Sequence, residues 1–399
     1  MRREIPVGLL YSTTGAYNLI GQDCLDGALM ALEEVNANPS YDFQLSPKIA
    51  NPGGNIDEYQ RLTEELLRKD HCKQIIGTVT SISRKEVTPI IEKHDGLLWY
   101  TAPYEGFECC ENIIYTGACP NQHIVPMFEQ VIPEFGNKVY LTGTNYVWGW
   151  EVNRIARELI TSCGGEITGE NYLPFHSTDV ERMIETIRET RPSFILNNLI
   201  DSSSYALYRA FYSAGKTDDF FRPENCPIIS CNITECELEE IGYDAAEGHL
   251  SISPYFENLN TSENIHFLNK VYKKRSKKRP VSAFFVNGYA TAYYLAEAIK
   301  EAHTDDIEAI KNGLFNRKFQ TPLGETEISS KTHHAALPYY IGRIKSQEGF
   351  EILPSRSQAI TADPYLVNFD ATQFAKNVNN IDLVSTPSHL TPPHLKVVK

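Results

Sequence analysis

The chain has 399 residues, enough for two or three domains with cores of their own, so a small disulfide-stapled scaffold is excluded. Its 42% hydrophobic and 11% aromatic content is that of a folded globular protein, and the formal charge of -14 argues against a surface that grips phosphate backbones. In chain order, short apolar runs alternate with amphipathic stretches of helical length. Strands are expected at Ile5 to Leu10, Gln74 to Gly77, Leu97 to Tyr100 and Ile113 to Thr116. Helices are expected from about Gln22 to Asn36, Ile56 to Lys69 and Ser83 to His94. A second series repeats the order, with strands at Lys138 to Thr142, Glu166 to Tyr172, Ser193 to Asn198, Pro227 to Ser230 and His249 to Ser253. Its helices run from about Gly149 to Ser162, Asp179 to Thr190 and Ser203 to Ala214. Val281 to His303 reads as one long helix, and Gly324 to Ile328 and Leu337 to Ile344 as antiparallel segments. The pattern is that of an α/β protein with two successive parallel-sheet lobes.

No uninterrupted apolar run approaches eighteen residues, so no membrane insertion is expected. The N-terminal Met1-Arg2-Arg3-Glu4-Ile5-Pro6-Val7 has no apolar h-region, and nine cysteines leave one unpaired. Both features point to the cytoplasm, with a periplasmic protein or extracellular lipoprotein as the alternative if a leader was removed. Cys226, Cys231 and Cys236 stand five residues apart, which does not align ligands on one helix face. His333-His334 reads as an exposed pair in a turn, so no metal is expected. The run Lys273 to Arg279 reads as a solvated helix end, its cations suited to the negative pole of the helix dipole. Beyond Asp370 the Ser, Thr, Pro and Asn content predicts a flexible tail, 370–399.

Neither G-x-x-x-x-G-K-[ST] nor G-x-G-x-x-G occurs, nor G-x-S-x-G, nor H-E-x-x-H. No enzymatic reading gains support, no catalytic residue is assigned and no cofactor is implied. The loops after the strands are more informative, because ligands of parallel sheets sit outside the carboxyl ends of the strands. Thr78-Val79-Thr80-Ser81-Ile82-Ser83 is hydroxyl-rich and opens a helix whose free N–H groups can hold a carbonyl or an anion. Thr101-Ala102-Pro103-Tyr104-Glu105-Gly106 and Asn145-Tyr146-Val147-Trp148-Gly149-Trp150 are aromatic. Together the three loops look like a clamp for a small ligand.

Several ordered motifs carry a family resemblance. They are Val7-Gly8-Leu9-Leu10-Tyr11-Ser12-Thr13-Thr14-Gly15, Asn51-Pro52-Gly53-Gly54, Ser81-Ile82-Ser83-Arg84-Lys85, Pro103-Tyr104-Glu105-Gly106-Phe107-Glu108 and Pro120-Asn121-Gln122. Over residues 4 to 369 the chain resembles the amide-sensing negative regulators of bacterial aliphatic amidase operons. It also resembles the urea- and short-chain-amide-binding proteins of ABC transporters. The resemblance implies a type I periplasmic-binding-protein fold of two doubly wound lobes joined by three crossovers. The N-terminal lobe would comprise 1–120 and about 256–330, the C-terminal lobe 121–255 and about 331–369.

By position, the resemblance makes Ser81 the hydroxyl that contacts an amide, with Val79, Tyr100, Thr101, Ala102 and Pro103 on the first-lobe wall. Tyr146 and Trp148 stand over the ligand from the second lobe, where Asp201 or Ser202 adds polar contacts. Val79 replaces a Tyr of the amidase regulators, Ala102 a Thr and Trp148 a Tyr, which makes the pocket less polar and suits a larger or more aromatic amide. The expected function is an amide sensor that closes on a neutral amide or urea-like ligand and releases an antiterminator-type regulator protein. The alternative is the substrate-binding subunit of an ABC importer for urea, short-chain amides or amino acid-like solutes, docking on a permease. Neither role needs direct nucleic-acid contact, and both leave room for a homodimer.

Overall fold

The computed structural model describes residues 2–275 and 279–379. The first sheet is built from β1 (Arg3–Leu10), β2 (Phe43–Ala50), β3 (Gln74–Gly77), β4 (Leu97–Tyr100) and β5 (Ile113–Tyr115), all parallel, in the order β2-β1-β3-β4-β5. The second holds β6 (Lys138–Thr144), β7 (Glu166–Leu173), β8 (Phe194–Asn198), β9 (Ile228–Ser230) and β10 (Leu250–Ser253), parallel in the order β7-β6-β8-β9-β10. Between the two halves of the later chain, β11 (Lys318–Thr321) and β12 (Gly324–Glu327) form a hairpin. The chain then returns to the second sheet as β13 (Leu337–Ile344), antiparallel to β10, with β14 (Phe350–Ile352) and β15 (Arg356–Ile360) paired on β13.

Strand order reverses between β1 and β3 in the first sheet and between β6 and β8 in the second. At each reversal the crossovers diverge to opposite faces and open a crevice at the strand ends, which is where α/β sheets bind ligands. One core wraps the first sheet and takes in helices Ser262–Lys274 and Ala283–Ala302, while two further clusters cover the two faces of the second.

Strand β2 was not evident from sequence: its Phe-Gln-Leu-Ser-Pro-Lys-Ile-Ala alternates buried and exposed positions at the sheet edge, where Pro47 is tolerated. The expected tail also differs. Residues 371–379 form a helix that buries Phe374 and Val378 against the second lobe, because the prolines that exclude regular structure begin only at Pro387. The rest of that segment, 380–399, lies outside the described residues. His333 and His334 are buried rather than exposed, His334 stacked on Tyr115 and His333 on Phe315. Of the basic run, 276–278 lies outside the described residues. Arg275 and Arg279 are not merely solvated: both approach the fully buried Asp23, at 3.9 and 3.4 Å.

Helices Asn18–Ala37 and Ala283–Ala302 lie backbone to backbone in the first lobe. A Cβ on Gly27 would fall 1.9 Å from the carbonyl oxygen of Phe285, and one on Gly288 2.2 Å from that of Cys24. Backbone cannot yield as a flexible side chain can, so Gly27→Ala should cost about 1–3 kcal/mol. A lowered thermal midpoint is expected; an unchanged one would show that the helices do not meet there.

Candidate functional site

The first-lobe wall begins where β3 ends. Thr80 caps helix Ser81–Lys93: its hydroxyl accepts from the Ser83 N–H at 3.1 Å, and the Ser83 hydroxyl reciprocates toward the Thr80 N–H. Capping is thereby done by Thr80 and Ser83, which leaves Ser81 for other work. The Ser81 hydroxyl donates to Glu105, whose other oxygen accepts from Arg84 at 2.9 Å. With its proton committed to a carboxylate, Ser81 Oγ faces outward as an acceptor. The donors on this wall are the Ser81 and Ile82 N–H groups, which have no acceptor inside the helix and are not reached by the Thr80 cap.

Arg84 is completely buried. Besides Glu105 it binds Glu108 through Nε at 2.8 Å, and its guanidinium lies 4.6 and 4.8 Å from the ring centroids of Tyr100 and Tyr104. Burial alone would raise the Glu108 carboxyl, but the Arg84 and Lys85 charges overcome it and lower it to about 2.

The second-lobe wall follows β6 and β8. Tyr146 and Trp148 open helix Val147–Ser162, Tyr146 resting on Phe175 with centroids 4.9 Å apart. Asp201 begins helix Asp201–Gly215 with φ +52; burial raises its carboxyl, and His176 lies 4.0 Å away. Glu237, in the turn after β9, is buried, accepts from the Tyr205 hydroxyl at 3.2 Å and the Thr234 N–H at 3.3 Å, and is pushed by desolvation up to about 8. Among the described residues no cation pairs with it.

These walls enclose a cavity of about 40 Å³ between the lobes, several times the ~10–15 Å³ that one water requires. Of the residues expected from sequence, Val79, Ser81, Ala102, Pro103, Tyr146, Trp148 and Asp201 line it. Tyr100, Thr101 and Ser202 do not. Tyr100 ends its strand pointing beneath the loop, where its hydroxyl donates to the Val79 carbonyl at 3.0 Å. Thr101 is turned into the core against Tyr11 and Cys24, and Ser202 lies off the lining in the first turn of its helix.

Sequence reading missed Tyr17 to Ile20 at the β1 switch point, Glu237 with Tyr205, and Phe284. The signal for the first was the position after β1, and for Glu237 the Thr234-x-x-Glu237 capping box. The Trp148 indole N–H is buried at the cavity without a partner among the described residues, whereas the Tyr17 hydroxyl interacts with Tyr146. The site thus offers donors at Trp148 and the helix N-terminus, and acceptors at Ser81 Oγ and the Glu237 and Asp201 carboxyls.

The sequence matches a family model for the periplasmic binding protein domain over residues 5–371. The chain belongs to that family. Its fold is the type I periplasmic-binding-protein fold, and similar solved structures are solute-binding proteins. The solute-binding protein of an ABC transporter from Rhodopseudomonas palustris, in complex with p-hydroxybenzoic acid, superposes with a TM-score of 0.79 at 19% identity, covering 88% of this chain and 98% of that one. A leucine-binding protein from Thermotoga maritima gives 0.74 at 17% identity, over 88% and 98%. The substrate-binding protein of a branched-chain amino acid transporter from Streptococcus pneumoniae, with isoleucine, gives 0.74 at 16%, over 88% and 99%.

Among curated sequences, a limonene hydroxylase from Geobacillus stearothermophilus is 32% identical over 128 residues, 32% of this chain and 23% of that protein. The chain therefore spans under a quarter of that relative's length, whereas the family match and the solute-binding neighbours extend over most of this one. The cytoplasmic location expected from the N-terminus and the cysteine count is overturned: the family and its transporter neighbours point to the periplasm.

Removing the Arg84 charge leaves the buried Glu105 without its cation and Glu108 with only the half-exposed Lys85. Arg84→Met should therefore cost about 3–5 kcal/mol at neutral pH, read from denaturant unfolding. A loss below about 1 kcal/mol would mean that the pairs with Glu105 and Glu108 do not hold the loop.

Proposed function

We propose that the protein is the solute-binding component of an ABC importer, and that its solute is a small molecule with an amino or amide nitrogen and a carbonyl or carboxylate. The observation that carries this reading is Glu237, a buried carboxyl lining the cavity with no cation paired to it among the described residues. A solute N–H group between Glu237 and Ser81 Oγ would satisfy both acceptors. The solute's oxygen would take the unpartnered Trp148 donor and the Ser81 and Ile82 N–H groups. Because the polar groups come from both lobes, a solute bridges them only in the closed form, so binding becomes a change of shape that a permease can read. The transporter neighbours support import over the sensing role that the family resemblance first suggested.

Calorimetry against L-isoleucine, butyramide and benzoate tests the reading. At least one nitrogen-bearing solute should bind, and benzoate, which has no N–H, should bind at least tenfold more weakly. Benzoate binding alone would refute the assignment. The pH profile separates the two nitrogen classes. Below about 8 the empty site holds Glu237 protonated. An ammonium needs it ionised, so binding expels a proton and affinity rises with pH by up to about tenfold per unit until that point. A neutral amide needs no ionisation and should bind with a flat profile over the same range. Glu237→Gln should weaken an ammonium solute by about tenfold or more, some 1.4 kcal/mol, and abolish its pH slope.

A further inference from the structure

A second cavity of about 20 Å³ lies behind the first, and Pro103, Asn232 and Phe284 wall both. These three residues border both spaces. The rear chamber is lined by small apolar groups, among them Ala118, Cys231 and Ala283, and by no charged side chain.

Two of its polar side chains, His123 and Gln122, have every hydrogen-bonding atom committed. His123, kept neutral by burial, donates through Nε2 to the Tyr104 carbonyl at 3.0 Å and accepts through Nδ1 from the Ile124 N–H at 2.8 Å. Gln122 donates to the carbonyls of Ala335 and Ile360 and accepts from the Cys119 N–H. The Asn287 side chain carries a buried acceptor that is not committed. It is 2% exposed, its Nδ2 donates to the Thr101 carbonyl at 3.0 Å, and its Oδ1 has no partner. A buried acceptor left unmet in an apolar chamber is costly, and a donor supplied from outside removes the cost.

We propose that the rear chamber is a tail subsite, which takes the far end of the solute past Phe284 and selects a short, uncharged tail ending in a hydrogen-bond donor such as a hydroxyl or a primary carboxamide. This rests on the head of the solute being held between Ser81 and Glu237. A charged tail is excluded because the chamber has no counter-charge to offset its desolvation. A ring is excluded by volume, since the space fits one or two water-sized groups, enough for the terminal donor of a tail and not for the whole of it.

The test is calorimetry with graded solutes: L-alanine, L-norvaline and L-glutamine, and in parallel propionamide, butyramide and succinamide. The carboxamide-tailed member of at least one series should bind tenfold or more tighter than its apolar-tailed partner. Filling the chamber with Ala283→Leu, or with Ala118→Val should the first variant not fold, should abolish that advantage and leave the shortest solute within about twofold of wild type. Asn287→Leu should remove the carboxamide preference while keeping the apolar-tailed solute. Equal affinity of carboxamide- and apolar-tailed solutes in wild type, or an advantage that survives both filled variants, would overturn the subsite while leaving the head assignment intact. Absence of binding in both series would instead overturn the head assignment, and the subsite with it.

Discussion

The buried ion pairs of Arg84 are the constraint on which the site depends. A guanidinium with no solvent is tolerable only where carboxylates and ring faces replace the water, and Glu105, Glu108, Tyr100 and Tyr104 do so here. Arg84 stands on the helix that Ser81 begins, and both carboxylates stand on the loop after β4. The pairs therefore fix loop against helix, and Glu105 fixes the direction of the Ser81 hydroxyl. The same network reaches the link between lobes. The Tyr115 hydroxyl donates to Glu108 at 2.8 Å, and its ring stacks on His334, with centroids 4.2 Å apart, in the stretch between β12 and β13. Ligand floor and inter-lobe connection thus share one set of charges.

The facing wall is built on the opposite principle. In the first lobe each carboxylate has its cation, so that wall presents fixed dipoles and no net demand. Glu237 in the second lobe has only neutral donors, Tyr205 and the Thr234 N–H, and responds by holding its proton up to about 8. A balanced floor orients a solute; an unbalanced carboxyl selects one that brings N–H groups. The indole N–H of Trp148, unpartnered at the cavity among the described residues, would suit an oxygen on the same molecule.

Much of this was legible in sequence because strand-end loops carry local signals. The hydroxyl-rich run 78–83 and the aromatic run 145–150 announced both walls, and the strand and helix alternation announced both sheets. What escaped depends on tertiary placement. Tyr100 and Thr101 belong to a loop that does line the cavity, but the direction of a side chain at a strand end is set by what packs beneath it, here Arg84 and Cys24. Glu237 sits in an ordinary acidic turn, and only the fold brings it to the cavity that Ser81 also lines. Phe284 enters from a helix that returns to the first lobe long after its sheet is complete. The His333-His334 pair misled because its stacking partners, Phe315 and Tyr115, are remote or unremarkable in sequence.

The most direct test of the account is the protonation of Glu237 itself, followed by ¹³C NMR of the glutamate carboxyl carbons and assigned by the resonance lost in Glu237→Gln. The account predicts a midpoint near 8 in the free protein, and a fall of that midpoint when a saturating ammonium-bearing solute occupies the cavity. A resonance that titrates near the ordinary ~4.3 of a glutamate, unmoved by any nitrogen-bearing solute, would contradict it.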